Sequence, residues 1–480
     1  RIEESHYFLF STITLEIVNM FFASAVLLLS SYVSSSFADT SVEQMGITYG
    51  QTMDEMTITF ASFSTLDETA QCNYGTSADD LSMSVPTTSS SYTVLTYTSP
   101  SLYTATISDL PTGNKEYFYS CGSSSLGYSS VKSFKTHPGL VDDVTFFVMG
   151  DVGQTSNSEN TLNELGEYEE LLTSKSGGII SLGDLSYANG MQPLWDSFGN
   201  LRERVASKIP FQTTMGNHEW LDTIHNFKAY KARFENPTVN GTKELYYSFN
   251  AGLVHFVMVA GYCPEMMTTH EQPCLKEGSA QRAWLESDLS GVDRDVTPWV
   301  VVSFHQPFVN SNKAHSIDSE GVPMQEAIED ILFDNKVDLV FSGHVHAYER
   351  SCQVYKYECT PGAPYYITIG DGGNKEGLAS GWVDPQPAWS AYRQASYGFG
   401  ELHVFNSTHM NWAWHQNEDL VPTVADEFTL VKGAAGGRHG LMSQQHSKGT
   451  TASPVFVNSA RGQKAQEFNT AALKEMAAMH

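Results

Sequence analysis

Basic side chains are scarce in this chain. Lysine and arginine together number 27 among 480 residues, against 54 aspartates and glutamates, so the formal net charge is -27. This balance repels the phosphate backbone of nucleic acids and anionic lipid surfaces. We therefore expect no nucleic-acid partner. A small phosphate ester is not excluded, because a bound pair of cations reverses the sign of the charge locally.

Long apolar runs are also few. One run follows Met20 and ends at Ser36-Phe37-Ala38, which has the small-x-small pattern of a signal-peptide cleavage site. Glu16 and Asn19 interrupt a longer apolar stretch, so what remains is too short to span a bilayer. We interpret residues 1–38 as a leader and signal peptide, against the alternative of a signal-anchor. The mature protein is then secreted, to an extracellular or a vacuolar, lysosome-like compartment, without stable membrane insertion.

Cysteine is limited to six residues. They form three couples that are close in sequence: Cys72 with Cys121, Cys263 with Cys274, and Cys352 with Cys359. Six cysteines allow about 15 full pairings, and the sequence alone does not select one. Export favours disulfides over metal-binding thiols. Sequons at Asn240 and Asn406 further indicate a glycoprotein.

The first region after the leader, residues 42–137, is rich in serine, threonine and tyrosine. Apolar and polar residues alternate within it, as over Met56 to Phe60, and turn-forming residues separate the runs. This pattern predicts a small antiparallel sandwich. Leu110-Pro111, followed by Tyr117-Phe118-Tyr119, resembles a fibronectin type III module, in which a tyrosine closes a corner between the sheets.

The pattern changes in residues 144–432. Continuous apolar runs predict buried strands that alternate with amphipathic helices, at 144–149, 178–182, 254–259, 299–304, 337–341 and 365–369. Such alternation is typical of an α/β domain, in which ligands bind beyond the carboxyl ends of the strands. Residues 433–480 are rich in Gly, Ala, Ser and Gln, and this composition predicts a disordered C-terminal tail.

Five short motifs, most of them just after an apolar run, carry the chemistry. They are Gly150-Asp151-Val152-Gly153, Gly183-Asp184-Leu185-Ser186-Tyr187, Gly216-Asn217-His218-Glu219, Val302-Ser303-Phe304-His305 and Gly343-His344-Val345-His346. Their potential ligands are two aspartates, a tyrosine, an asparagine and three histidines. These donors are sufficient for two neighbouring metal ions. Each residue alone has a simpler interpretation as a turn or a cap, but the ordered set indicates a binuclear hydrolase site.

In this order the motifs resemble those of the purple acid phosphatases, the tyrosine-bearing branch of the calcineurin-like metallophosphoesterases. The resemblance covers roughly residues 45–432. It implies an α/β metallophosphoesterase sandwich, with two mixed sheets flanked by helices, preceded by an all-β fibronectin type III-like domain. Relatives of the large plant type are often dimers, so a homodimer is one oligomeric state that the resemblance leaves open.

The resemblance also implies the metals and their ligands. The first metal would be Fe(III), held by Asp151, Asp184, Tyr187 and His346. The second would be a divalent Zn, Mn or Fe ion, held by Asn217, His305 and His344, with Asp184 bridging the pair. Carboxylate and phenolate oxygens suit a hard trivalent ion, whereas imidazole and amide suit a borderline divalent one.

Two histidines are candidate catalytic residues. The resemblance gives His218 the position that faces the substrate, where it would assist the leaving alkoxide; the alternative is a structural imidazole that supports the metal site. His315 is a second candidate, although Ala314 stands where some relatives carry another histidine. We interpret His255, His403 and His415 as structural, and we expect Glu349 and Arg350 to orient a loop through an ion pair.

The resemblance implies a secreted acid phosphatase that hydrolyses phosphate monoesters through attack of a metal-bound hydroxide. Variants that prefer phytate or nucleotides use the same motifs, so the sequence does not separate them. A catalytically silent secreted binding protein, which would use the sandwich for adhesion, is the alternative from a different class. The complete donor set argues against this alternative.

Overall fold

The computed structural model describes residues 42–67, 69–220, 227–263, 273–315, 320–417 and 423–432. The predicted leader (1–38) and the predicted tail (433–480) lie outside the described residues. Within the described ranges, no helix combines the length and the apolar character needed to cross a membrane.

Eleven strands precede residue 137 in the described part of the chain. They are β1 (Glu43–Tyr49), β2 (Met56–Ser62), β3 (Gln71–Gly75), β4 (Met83–Pro86), β5 (Thr88–Ser90), β6 (Thr93–Val94), β7 (Tyr97–Thr98), β8 (Ser101–Ile107), β9 (Glu116–Ser123), β10 (Gly127–Tyr128) and β11 (Lys132–Lys135). One sheet has the order β1-β2-β8-β5, and the other has the order β10-β9-β3-β4 with β11 also paired to β9. All these pairings are antiparallel, as predicted for an all-β region. We call residues 42–137 the N-terminal sandwich.

The remaining helices and strands form an α/β region. In chain order they are β12 (Val144–Met149), α1 (Ser156–Glu170), β13 (Lys175–Ser181), α2 (Pro193–Ala206), β14 (Phe211–Thr213), α3 (Asn217–Trp220), α4 (Lys228–Arg233), β15 (Tyr247–Ala251), β16 (Val254–Met258), α5 (Ala280–Ser290), β17 (Trp299–Ser303), α6 (Gly321–Asp334), β18 (Leu339–Ser342), β19 (Tyr348–Tyr355), β20 (Glu358–Cys359), β21 (Tyr365–Ile369), β22 (Ser390–Gln394), β23 (Gly398–Val404), β24 (His409–Gln416) and β25 (Thr423–Val431).

Two mixed sheets organise this region. The first has the order β14-β13-β12-β23-β24-β25, and the second has the order β15-β16-β17-β18-β21-β19-β20 with β22 paired to β19. Strands β12 to β14 are parallel, as are β16, β17, β18 and β21. The two sheets pack face to face, with the rings of Phe146 and Phe256 4.7 Å apart between them. The predicted two-sheet metallophosphoesterase architecture is confirmed.

Local sequence explains where the helices begin. The Thr155 hydroxyl caps α1 by accepting hydrogen bonds from the backbone N–H groups of Asn157 and Ser158, at 3.1 and 3.3 Å. Helix α2 begins with Pro193, a residue that lacks the N–H for which the first turn has no partner. Both helices bury one apolar side, against the outer face of the first sheet, and this leaves the loops at the strand ends free to form a site.

The N-terminal sandwich is joined to the α/β region through buried tyrosines. The Tyr49 hydroxyl donates a hydrogen bond to the carbonyl of Gly177 at 3.0 Å, and Tyr119 donates to Ser207 at 2.8 Å. Tyr119 is one of two tyrosines in its strand, and its side chain points across the boundary towards the end of α2.

His137 seals the same boundary. Its Nε2 lies 2.9 Å from the carbonyl oxygen of Asn250, and its Nδ1 accepts the N–H of Gly139 at 2.9 Å. These partners require a neutral ring that carries its proton on Nε2. Burial lowers the pKa of His137 to about 4. The chain therefore crosses between the two parts on a buried, hydrogen-bonded segment.

All six cysteines form disulfides within the chain. The pairs are Cys72–Cys121, Cys263–Cys274 and Cys352–Cys359, the three local couples of the sequence. No cysteine in the chain remains free for a bridge between subunits. A dimer of this protein would therefore associate without an intersubunit disulfide.

Candidate metal centre

The five motifs meet at one edge of the two packed sheets. Asp151 and Asp184 follow β12 and β13, while His305 follows β17 and His344 follows β18. These strands are parallel to their neighbours, so their carboxyl ends lie on the same side. Six of the seven predicted ligands are buried, and the seventh, Asn217, is partly buried.

Four of the seven residues have a left-handed backbone. The φ angles are 56° at Asp151, 49° at Asp184, 51° at Tyr187 and 68° at His344. Non-glycine residues rarely adopt this region, and such conformations concentrate where the surrounding structure fixes a functional geometry. The loops therefore direct these side chains inwards at a cost in backbone energy.

Asp151, Tyr187 and His346 form one group. The Tyr187 hydroxyl lies 3.2 Å from Asp151 Oδ1 and 3.0 Å from His346 Nε2. His346 Nε2 is also 3.4 Å from the same aspartate oxygen. The Nδ1–H of His346 donates to the carbonyl of Gly377 at 3.1 Å, which leaves Nε2 facing the group.

Asp184, Asn217, His305 and His344 form a second, adjoining group. His305 Nε2 lies 3.1 Å from Asp184 Oδ2 and 3.2 Å from Asn217 Oδ1. Ligand atoms of Asp184, His305 and His344 all lie within 4.8 Å of one another. The Nδ1–H of His305 donates to the carbonyl of Leu182 at 2.7 Å, so its Nε2 also faces the cluster.

The two groups share a boundary. His305 Nε2 lies 3.9 Å from Asp151 Oδ1, and the backbone N–H of His344 donates to Asp151 Oδ2 at 2.8 Å. All seven residues singled out in the sequence therefore converge on one buried cluster.

Electrostatics in the cluster favour a cation. Burial alone would lower the pKa of His305, but the carboxylates of Asp184 and Asp151 raise it to about 10. Burial, together with the neighbouring His305, holds the pKa of His344 well below its usual value. Burial would raise the pKa of Asp184, but His305 lowers it overall. The two carboxylates thus create a field that binds positive charge.

The donor set fits a pair of metal ions. His344 Nε2 is buried and has no hydrogen-bond partner among the described residues. Its lone pair is therefore available to a metal ion. Both His305 and His346 present Nε2 while a carbonyl fixes the other ring nitrogen, an arrangement typical of metal-ligating imidazoles. The phenol of Tyr187 and the two carboxylates add hard oxygen donors.

Two glycines permit the close packing of these loops. A Cβ atom on Gly216 would lie 2.1 Å from Asp184 Oδ1, and one on Gly343 would lie 2.4 Å from Asp151 Oδ2. Any larger side chain at either position would displace an aspartate of the cluster.

Glu219 is a site residue that sequence reasoning missed. Its buried carboxylate accepts three backbone N–H groups, from Asp184 at 2.8 Å, Leu185 at 2.9 Å and Gly216 at 2.8 Å. It thereby ties the loop after β13 to the loop before α3. Burial and the nearby Asp184 carboxylate raise its pKa to about 8. Its place in the Gly216-Asn217-His218-Glu219 motif was the available signal.

His218 lies on the wall of the cluster. Its ring is 4.1 Å from that of Tyr187, between centroids, and its backbone N–H donates to Asp184 Oδ1 at 2.8 Å. Nδ1 lies 2.5 Å from Asn189 Oδ1, while Nε2 lies 3.4 Å from a carboxylate oxygen of Glu376. The ring is thus oriented by Asn189 on one side, while Nε2 on the other side lies near the carboxylates of Glu376 and Asp184.

His315 reaches the opposite wall. It is exposed, and its ring lies against that of His344 at a tilt of 39°, with 3.7 Å between centroids. Glu320, which the sequence did not single out, lies 3.4 Å from His344 Nε2 and accepts the hydroxyl of Tyr262 at 2.5 Å. Glu320 and Tyr262 stand in none of the five motifs, so no local sequence pattern indicated them.

The expected roles of Glu349 and Arg350 need correction in part. Arg350 forms its ion pair with Asp426 in β25, at 2.6 Å. Glu349 points to the other face of β19 and accepts the backbone N–H of Ser311 at 2.7 Å and the hydroxyl of Ser390 at 2.5 Å. Adjacent residues on a strand face opposite sides, so the two have different partners.

The three histidines interpreted as structural lie outside the cluster. His255 Nε2 pairs with Asp288 at 2.9 Å and His415 Nε2 pairs with Glu401 at 3.0 Å. His403 lies nearer the surface and contacts Asp143 at 2.9 Å. Each therefore has a local partner that accounts for it.

Family models match three consecutive stretches of the chain. The N-terminal domain of purple acid phosphatases matches residues 42–136, the calcineurin-like phosphoesterase matches residues 144–348, and the iron/zinc purple acid phosphatase-like protein C matches residues 363–427.

Curated relatives carry consistent names. Probable purple acid phosphatase 20 of Arabidopsis thaliana is 41% identical over 387 residues, which cover 79% of this chain and 85% of the relative. Purple acid phosphatase 22 of the same plant is 42% identical over 348 residues, covering 71% and 74%. The phosphoenolpyruvate phosphatase of Allium cepa is 37% identical over 372 residues, covering 72% and 73%.

A solved structure agrees in fold. The purple acid phosphatase from yellow lupin (Lupinus luteus) seeds superposes with a TM-score of 0.72 and 23% identity, covering 82% of this chain and 75% of that one. At this identity the likeness concerns the fold alone. Together with the family models and the relatives above 40% identity, it leads to one conclusion: the chain belongs to the purple acid phosphatases, a family of phosphatase hydrolases with a binuclear metal centre.

Proposed function

We propose that this protein is a secreted acid phosphatase that hydrolyses small phosphate monoesters at a binuclear Fe(III)–M(II) centre. The observation that carries the proposal is the convergence of two buried carboxylates, a phenol, an amide and three imidazoles at the carboxyl ends of parallel strands. In this proposal residues 144–432 are the catalytic domain, and the N-terminal sandwich supports it.

Each metal has its own set of donors. Fe(III) is assigned to Asp151, Asp184, Tyr187 and His346, and the divalent Zn, Mn or Fe ion to Asn217, His305 and His344, with Asp184 shared. The contacts of the Tyr187 hydroxyl with Asp151 and His346 support the first set. Those of His305 with Asp184 and Asn217 support the second.

The bound cations supply Lewis-acid chemistry: they offset the charge of the phosphate oxygens and increase the acidity of water. The protein contributes position. Glu219 holds the loops that carry Asp184 and Asn217 in fixed register. The buried surroundings exclude bulk water, which strengthens every charge interaction within the site.

His218 is proposed as the proton donor to the leaving alkoxide. In its protonated form Nδ1–H donates to Asn189 Oδ1, and Nε2–H faces the open side of the cluster, where Glu376 stabilises the positive charge. His315 is proposed as a contact for the substrate on the opposite wall, because its exposed ring lies against His344.

The substrate of this site is proposed only as a class, the small phosphate monoesters. The site motifs do not separate a general phosphatase from one that prefers phytate or nucleotides, so these remain variants of the same chemistry.

The three internal disulfides favour a secretory route to an extracellular or vacuolar compartment. A homodimer, if formed, relies on surface contacts rather than on a shared disulfide.

The test compares hydrolysis of a chromogenic aryl phosphate by the wild-type protein and by Asp184→Ala, His218→Ala and His403→Ala variants. Asp184→Ala should lose both metals and nearly all activity. His218→Ala should retain its metals but lose about 100-fold or more in kcat, the usual contribution of a positioned proton donor. His403→Ala, a surface histidine away from the cluster, is the control and should match the wild type.

Equal rates for all four proteins would refute the proposal. If these rates equal the background rate without protein, the result favours a silent binding protein. Metal analysis with an absorption spectrum tests the ferric assignment separately, since a phenolate on Fe(III) absorbs visible light and Tyr187→Phe should remove this band. A colourless, iron-free and active wild-type protein would overturn the ferric assignment alone.

A further inference from the structure

A cavity lies between the N-terminal sandwich and the α/β region, apart from the metal cluster. It has a volume of about 400 Å³, counting its open mouth. Strands β2 and β8 form one side, and helices α2 and α4 form the other. The aromatic side chains that line it are Phe60, Tyr103, Trp195, Phe198 and Phe234. None of the seven candidate metal ligands lines it.

A buried arginine without an acceptor lines this cavity. Arg202 on α2 is 6% exposed. Its guanidinium lies over the rings of Phe234 and Phe211, at 4.7 and 5.7 Å from the centroids. Among the described residues, it forms no hydrogen bond with an acceptor and no ion pair. Buried charges in proteins are normally paired, because removing a lone charge from water is costly.

The second arginine of the cavity is fully engaged. Arg233 pairs with Asp196 at 2.6 Å, and it also donates to Gln44 Oε1 at 2.8 Å and to the hydroxyls of Tyr92 and Tyr97, both at 3.1 Å. Asp196 therefore balances the charge of Arg233 and is not free to balance that of Arg202.

The acidic residue next in sequence to Arg202 is also engaged elsewhere. Glu203 pairs with Lys132 at 3.2 Å and accepts the backbone N–H of Met45 at 3.3 Å. Glu203 still attracts the charge of Arg202 from a distance, but among the described residues no carboxylate forms an ion pair with Arg202. Burial and the neighbouring Arg233 lower the pKa of Arg202 to about 10, and the side chain stays charged at neutral and acidic pH.

We propose that this interdomain cavity is a binding site for a small oxyanion, either a carboxylate or phosphate, with Arg202 as its anchor. The planar guanidinium matches two oxygens of such a ligand at once. Aromatic side chains beside a few polar groups, here Gln44 and the two arginines, are typical of small-ligand pockets. Because the site joins the sandwich to the α/β region, its occupation should stabilise the fold.

The test is the melting temperature of the full-length protein in sodium benzoate, sodium phosphate or sodium chloride at equal ionic strength. Benzoate and phosphate distinguish the two sources of an oxyanion, and chloride reports the general effect of salt. At a hundredfold excess over Kd, the specific anion should raise Tm by about 3 °C relative to chloride.

Two variants locate the effect. Arg202→Met should abolish the specific rise in Tm. Arg204→Met lies two residues further along the same helix, where Arg204 is paired with Glu159 at 2.9 Å, and should retain the rise. Any phosphate effect that persists in Arg202→Met belongs to the metal cluster. In chloride alone, Arg202→Met should melt no lower than the wild type, because it removes an unpaired buried charge.

Arg202→Lys provides a second measure if the methionine variant does not fold, since it keeps the charge but lacks the guanidinium fork. Its rise in Tm should be at least halved. The proposal is overturned if neither oxyanion exceeds chloride, or if the anchor variant that folds responds as fully as Arg204→Met.

Discussion

The Glu219 carboxylate offers the sharpest test of how the candidate metal centre is held together. Replacing it with glutamine keeps its size but turns one of its two oxygen acceptors into an NH2 donor. The amide oxygen can take over the bonds from Asp184 and Gly216, and the amide nitrogen then faces the N–H of Leu185. One buried donor loses its acceptor, so we expect a loss of about 2 kcal/mol in the free energy of unfolding.

Because Glu219 positions the loops of both predicted metal sets, Glu219→Gln should also lower metal affinity about 10- to 100-fold. Urea unfolding and metal titration measure the two effects. Glu329→Gln is the control, because this buried glutamate on α6 accepts the backbone N–H of Lys356 at 2.8 Å and lies outside the cluster. It should reduce stability but leave metal affinity unchanged. Wild-type metal affinity in Glu219→Gln would refute the reasoning.

Two further predictions concern stability. His137 takes up a proton near pH 6.5 when unfolded but only near pH 4 when folded, so its contribution is complete above pH 6.5 and is lost as pH falls. Between pH 7 and pH 4 the wild type should lose about 3 kcal/mol more than His137→Gln in urea unfolding, and equal losses would contradict the burial argument. Removing Cys72–Cys121, which are 49 residues apart, by double substitution with alanine should cost about 4 kcal/mol. A Tm equal to that of the wild type would contradict this.

The strands of the parallel sheets could be predicted because their side chains are buried on both faces. Val144–Met149 and Tyr365–Ile369 agree with the prediction at both ends. By contrast, β13 begins at Lys175, three residues before the predicted start. Ser176, Gly177 and Gly178 have little apolar surface, so the strand pattern there depends on pairing with β12, which a single sequence does not reveal.

The seven predicted ligands could be singled out because each stands in a short motif near a strand end, and the structure brings them together in one cluster. Glu219 was present in a motif, but its role depends on three backbone groups from two separate loops. Arg202 gave no signal, since an arginine on an amphipathic helix is normally exposed, and only the packing of α2 against the sandwich buries it.

The hydrogen bonds across the boundary at residue 137 join the N-terminal sandwich to the α/β region. Tyr49 and Tyr119 on one side satisfy carbonyls of Gly177 and Ser207 on the other. Separated halves would each expose an apolar face and surrender these partners, at about 1 kcal/mol for every bond lost. Modules that sequence comparison delimits separately thus share one continuous hydrophobic core, and a shortened polypeptide that starts after the sandwich would lack part of the packing around its own core.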